Sequence, residues 1–276
     1  MFRNITLGQY YPADSLIHSL DPRVKLLGVI VYIADVFIIR NIWGFLFLGG
    51  ALAVLIAVSH VPFRHMLKGL RAILILIILA VVFNLFSGDP SQALWHWWIL
   101  TVTEESILRA AFFVLRLISV VLASSLLTYT TTPTTLTCGL EKVFSHLKFM
   151  HFPAHEIAMM MSIALRFIPI LAEETNKIMN AQLARGADFE TGGIIKKAKG
   201  MIPILIPLFV SAFKRASDLA TAMEARCYHG GEGRTRMYPL TYRARDIRGY
   251  VVIFAFLAAA IGLRIIMDRL GLPGSI

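Results

Sequence analysis

The chain of 276 residues is 57% hydrophobic and 16% charged, with a mean hydropathy of +0.69 and a formal net charge of +10. That balance excludes an ordinary soluble domain and indicates an integral membrane protein. The positive excess could suit nucleic acid, but no aromatic-interleaved basic module accompanies it, and basic loops on the cytoplasmic face of a membrane explain it more simply.

Met1 to Tyr11 lacks a basic head, an apolar core and a small-residue cleavage site, so the first membrane helix is expected to serve as the signal. Asp21-Pro22 sets aspartate at an N-cap and proline at the first helical position, and the apolar run from Leu26 to Ile39, broken only by Asp35, predicts a span over 24–39. A brief break at Arg40-Asn41 leads into a second span, 42–59, with Trp43 placed as an interfacial anchor. Arg64, Lys68 and Arg71 then occur without an acid, and Pro62 interrupts the helix, which predicts a cytoplasmic loop before a third span over 72–87.

From there to Ile107 the chain carries Asp89, Glu104 and Glu105 and no Lys or Arg, with Trp95, Trp97 and Trp98 clustered as in an aromatic belt, so this loop is expected outside. A fourth span over 108–128 ends in a threonine-rich stretch whose Thr132-Pro133 pair can cap a new helix. Residues 131–248 change character. Apolar and charged positions alternate at helical spacing, and the longest uncharged stretch, Gly200 to Phe213, is short for a bilayer. This predicts a cytoplasmic helical domain, followed by a last span and tail over 249–276. The fold class is therefore all-α, a polytopic membrane protein of about five spans with its amino terminus inside.

Within 131–248, Pro153 can open a helix running to Arg185, with Ile157, Met160, Met161, Ala164, Leu165, Ile168 and Leu171 along one face and a kink at Pro169. A second helix spans about Ile194 to Arg226, apolar nearly all round in its middle, a pattern that suits burial on several sides. Each ends in an Ala-Arg-X tripeptide, Ala184-Arg185-Gly186 and Ala225-Arg226-Cys227, with Gly192-Gly193 and Gly230-Gly231 beyond as helix terminators. A small-residue helix end carrying a guanidinium lets another backbone approach and suits a carboxylate or a carbonyl-lined pocket. The plain alternative for Arg185 and Arg226 is a cation stabilising a helix carboxyl end by about 0.3–1 kcal/mol.

Other polar residues carry weaker signals. Asp35 and Arg116 lie within spans and suggest internal pairing or snorkelling rather than a relay, and Asn84 an interhelical hydrogen bond. His146, His151 and His155 lack metal-site spacing, and no phosphate loop exists. Arg166 reads as an internal brace for Glu173 or Glu174, or as a partner contact. Met159, Met160 and Met161 read equally as core packing or as an adaptable docking surface. Cys138 and Cys227, both expected in the cytoplasm, should stay reduced. A self-sufficient ion-coupled secondary transporter would need more intramembrane charge than this, and an intramembrane enzyme a paired catalytic set.

Ser15-Leu16-Ile17-His18-Ser19-Leu20-Asp21-Pro22-Arg23-Val24-Lys25-Leu26-Leu27, Ala164-Leu165-Arg166-Phe167-Ile168-Pro169, and the two stretches Ala181 to Ala187 and Ala222 to Tyr228, followed by Gly230-Gly231 and Arg234-Thr235-Arg236, resemble signatures of one family. It is the transmembrane T component of energy-coupling factor transporters, a branch of the ATP-binding-cassette importers, and the likeness spans nearly the whole chain. The resemblance implies a non-enzymatic subunit of a bacterial or archaeal plasma membrane. In it, Arg185 and Arg226 would end coupling helices that dock into two ATPase subunits, identical or different, which bind ATP and magnesium. A separate membrane protein would bind the substrate, a vitamin or a metal ion; Met159, Met160, Met161 and Arg166 are candidates either for the surface that meets it or for helix packing. Cys227 stands where the family usually has glycine.

Overall fold

The computed structural model describes residues 10–39, 41–85, 95–97, 100–145, 153–187, 189, 193–230 and 240–270. The elements are α1 (Pro22–Ile38), α2 (Ile42–Ser59), α3 (Phe63–Leu85), β1 (Trp95–Trp97), β2 (Leu100–Val102), α4 (Glu104–Thr130), α5 (Pro133–Phe144), α6 (Ala154–Ala184), α7 (Ile194–Glu224) and α8 (Ala244–Leu270). The fold is all-α apart from one small antiparallel hairpin, in which Trp95 pairs with Val102 and Trp97 with Leu100. The chain divides into two compact units: 137–239 forms one, and 10–136 with 240–270 forms the other.

In the second unit the helices begin where local chemistry dictates. The Asp21 carboxylate accepts from the Arg23 amide at 2.9 Å and caps α1, with Pro22 in the first turn. At α4 the Thr103 side chain accepts from the Ser106 amide while Ser106 Oγ accepts from the Thr103 amide, a reciprocal capping box. The α1–α2 hairpin is tight because Gly44 lies directly against Ile39, where any Cβ would collide. Gly249 lets α8 approach α1 closely; a Cβ there would sit 2.9 Å from Val24 Cγ1. Tyr32, Val36, Ile39, Phe45, Leu48, Leu52, Met66, Leu122, Leu126 and Ala260 form the shared core of α1, α2, α3, α4 and α8.

Around that core the outer faces are apolar and exposed within the chain, as at Ile75 and Phe83 of α3 and Val251 and Val252 of α8. Such surface requires lipid. By length and apolarity, α2, α4, α6, α7 and α8 each suffice to cross a membrane, and the two halves of α3, Phe63–Arg71 and Ile73–Leu85, do so as a bent pair. The protein is a multi-pass membrane protein.

Several boundaries differ from the sequence reading. The basic stretch with Arg64 and Arg71 is not a loop; it is the first part of α3, bent 60° from Ile73–Leu85. Pro62 only precedes that helix, where a missing amide costs nothing. The tryptophan-rich loop contains the hairpin. Helices α6 and α7 run through Pro169 and through Pro203 and Pro207 as the sequence predicts, each 31 residues long, but the Gly200 to Phe213 stretch, expected to be short for a bilayer, belongs to a window, Lys199–Glu224, long enough to span. Asn84 Nδ2 donates to its own helix at Ala80 O, 2.8 Å away, so it is not an interhelical bridge.

Candidate docking site

The two helices of unit 137–239 that carry the arginines are equal in length and run antiparallel. Arg215 pairs with Glu174 at 3.5 Å, and Gln182 Nε2 donates to Pro203 O at 3.5 Å, so positions advancing along α6 meet positions retreating along α7. Arg185 lies eleven positions beyond Glu174, and Arg226 eleven positions beyond Arg215. The ion pair is therefore the midpoint of a local pseudo-twofold arrangement, with one arginine at each end. At 1.5 Å per residue each arm is about 16 Å long, which places the two tips up to about 33 Å apart.

Both tips terminate by the same hydrogen-bond pattern. Beyond α6 the Gly186 amide bonds Leu183 O at 3.0 Å and the Ala187 amide bonds Gln182 O at 3.0 Å, with Gly186 at φ +85°. Beyond α7 the Cys227 amide bonds Glu224 O at 2.9 Å and the Tyr228 amide bonds Met223 O at 3.1 Å, with Cys227 at φ +55°. These are matching Schellman turns, each pivoting on a left-handed residue directly after the arginine. The terminators are therefore Gly186 and Cys227, with Gly193 and Gly230 lying farther along and Gly192 and Gly231 outside the described residues. Each turn satisfies two terminal carbonyls, Gln182 and Leu183 at one tip and Met223 and Glu224 at the other, without either arginine side chain.

Arg185 and Arg226 are exposed, and so are the small residues beside them, Ala181, Ala184, Ala222 and Ala225. Among the described residues no side chain pairs with either guanidinium. Each tip thus offers five N–H donors above a low-profile alanine surface. A planar fork of donors of this kind suits carboxylates or carbonyls.

Arg166 is exposed, and among the described residues no acid pairs with it; Glu174, one of its expected partners, is held by Arg215. Met159 is half-buried, while Met160 and Met161 are 60% and 49% exposed, so the methionine patch faces outward more than into a core. In α7, Leu205, Ile206, Phe209, Val210 and Phe213 are all exposed, with Phe209 and Phe213 rings 4.8 Å apart. Their all-round apolar pattern does not say which neighbour covers them.

The remaining polar candidates resolve locally. Arg116 donates to Ile39 O at 3.4 Å and lies near the Phe37 and Phe45 rings, so it completes the carboxyl end of α1. Asp35 is fully buried, and neither carboxylate oxygen has a hydrogen-bond partner among the described residues. His155 pairs with Glu141 at 3.1 Å, whereas His146 and His151 fall outside the described residues. No group of three or more His, Cys, Asp or Glu is arranged for a metal ion among the described residues, and both Cys138 and Cys227 are free thiols.

A family model described as CbiQ, cobalt transport protein, matches residues 13–237. The chain belongs to the CbiQ family. The matched stretch takes in the cap of α1, the Arg166 segment and both arginine tips of α6 and α7. Among similar proteins, one of Clostridium kluyveri is 51% identical over 89% of this chain and 92% of its own length. One of Acidaminococcus fermentans is 50% identical over 94% and 97%, and one of Bacillus subtilis is 39% identical over 96% and 100%. All three are named energy-coupling factor transporter transmembrane protein EcfT. As a member of this membrane-transport family, the chain shares nearly its full length with these relatives.

Proposed function

We propose that this chain is the transmembrane coupling component of an energy-coupling factor importer. Its 137–239 unit lies on the cytoplasmic side, with the amino terminus there too. Arg185 and Arg226 dock into two ATP-binding-cassette ATPase subunits, which supply the ATP and magnesium chemistry; the chain itself is non-catalytic. A separate substrate-binding membrane protein meets the exposed surface that includes Met160, Met161 and Arg166, with the half-buried Met159 at its edge. The substrate, a vitamin or a metal ion, is chosen by that partner.

One observation carries this reading: two chemically matched arginine tips stand at opposite ends of one antiparallel helix pair, tied at its midpoint. A solitary helix-end cation needs no twin. Two equivalent ATPase sites do, because closure of the ATPase pair must pull on both ends to shift the membrane component between states. Differential contacts at two distinct grooves are what allow ATP-driven motion to bias a remote conformation.

The test is co-expression with the ATPase and substrate-binding partners, followed by affinity purification and uptake measurements in proteoliposomes. Arg185→Ala and Arg226→Ala together are expected to lose the ATPase subunits from the purified complex and to abolish ATP-driven uptake. Each single substitution should weaken retention, because truncating a guanidinium that meets a buried acceptor costs about 2–5 kcal/mol. A double variant that retains both ATPases and transports at the wild-type rate overturns the proposal.

A further inference from the structure

The chain passes from the helical unit 10–136/240–270 into unit 137–239 within α5, after Leu136, and re-enters the first at Leu240. Both connections are gripped by the same short piece of α1. On the outgoing side, Lys25 Nζ donates to Thr130 O at 2.7 Å, with Thr131 Oγ1 at 3.4 Å and His18 O at 3.3 Å. The α4 carboxyl end thus receives an ammonium just before the chain departs. On the returning side, Arg23 Nη2 donates to Leu240 O at 3.3 Å, and its guanidinium lies 3.9 Å from the centre of the Tyr242 ring.

The same turn is locked further. Arg23 forms a two-pronged pair with Asp21, Nε to Oδ1 and Nη2 to Oδ2, both at 3.0 Å. Asp246, in the first turn of α8, accepts from the Asp21 amide and from the Arg243 amide, each at 2.8 Å. Asp21 and Asp246 are 8% and 2% exposed, and Thr130 and Thr131 are 2% and 6% exposed. Buried, charge-assisted hydrogen bonds of this kind are among the strongest available. A helix start alone would need Asp21 and Pro22; it would not need Arg23 to reach Leu240 or Lys25 to reach Thr130.

We infer that Asp21, Arg23, Lys25 and Asp246 form a clasp that fastens both connections to one turn of α1, so that motion of unit 137–239 is delivered jointly to α1, α4 and α8. These are positioning residues for coupling and touch neither nucleotide nor substrate. The functional part of this inference rests on the coupling role proposed above. Without the clasp, each connection would yield independently, and work done on the unit would be taken up in slack chain.

The test uses the full complex in proteoliposomes, with ATP hydrolysis and substrate uptake read on the same vesicles and amide exchange followed over 128–136 and 240–247. Lys25→Met keeps side-chain length and removes the donor; Asp246→Asn leaves one acceptor where two are used. Each is expected to accelerate exchange in both segments and to lower uptake per ATP hydrolysed at least about fivefold, with the ATPases still bound. Lys25→Arg should restore both readouts towards wild type. If Lys25→Met does not assemble, Lys25→Gln takes its place.

Accelerated exchange confined to the segment next to the substitution overturns the joint clasp. Uptake per ATP within about twofold of wild type overturns its role in coupling. Failure of the coupling role itself appears differently, as retained ATPases and unimpaired uptake in the Arg185/Arg226 double variant, while exchange in the full chain still reports on the clasp.

Discussion

Replacing Cys227 by glycine is expected to stabilise the second arginine tip. Cys227 holds φ +55°, a left-handed conformation that costs a residue with a Cβ about 1–2 kcal/mol. Glycine removes that penalty but brings a more flexible unfolded chain, a loss of about 0.4–1 kcal/mol. The difference favours Cys227→Gly by about 0.5–1 kcal/mol, which corresponds to opening of the last α7 turn becoming about two- to fivefold rarer. The reciprocal change at the other tip has the opposite sign. Gly186 sits at φ +85° with nothing within 4 Å of where a Cβ would stand, so Gly186→Ala isolates the backbone cost without any clash. Amide exchange over 221–228 and 182–187 in the purified complex reads both effects. Faster exchange in Cys227→Gly, or no acceleration in Gly186→Ala, refutes the argument that the turn geometry sets the strength of each tip.

Two further expectations concern contacts away from the tips. His18 donates from Nε2 to Tyr11 O at 3.0 Å, and its Nδ1 lies 2.7 Å from Ser15 Oγ. Burial first, opposed by the Tyr11 bond, lowers its pKa from 6.5, so the unfolded segment binds the proton more readily than the folded one. Stability is then fully present above about pH 6.5 and is lost as pH falls through the folded value. Exchange over 11–19, corrected for intrinsic rates, should accelerate on acidification, and His18→Gln should flatten that dependence. At the helix pair, Glu174 and Arg215 side chains are 27% and 40% exposed, so their bond is worth only about 0.2–1 kcal/mol and chiefly sets register. Glu174→Arg should reduce ATPase retention in pull-downs by opposing Arg215, and Glu174→Arg with Arg215→Glu should recover it.

Much of this architecture is legible in the residues because the signals are local. Asp21-Pro22, Thr132-Pro133 and Pro153 mark helix starts through dihedral and donor chemistry confined to a few positions, and the structure begins α1, α5 and α6 there. The two Ala-Arg-X tips are legible for the same reason. What escapes is whatever depends on a distant partner. The Arg215 contact of Glu174 spans 41 positions, and Arg23 reaches Leu240 across 217; neither distance leaves a trace in periodicity. Helix ends also mislead where two glycine signals compete. The glycine pairs at 192–193 and 230–231 look like stronger stops than a lone Gly186 or a cysteine, yet the first residue able to adopt a left-handed turn ends the helix.

The midpoint tie between α6 and α7 constrains how this protein can vary. Eleven residues turn an α-helix through three revolutions with only about 20° to spare, so each arginine lies on nearly the same face as the tie residue of its own helix. Adding or deleting a single residue in either arm would swing its arginine by about 100° and shift it by about 1.5 Å. Substitutions in these arms leave that geometry in place, but the spacing cannot be edited one position at a time. The lengths of 174–185 and 215–226 are thus a ruler, and any change in one must come in whole-turn steps or be matched by a re-shaped groove in the protein it meets.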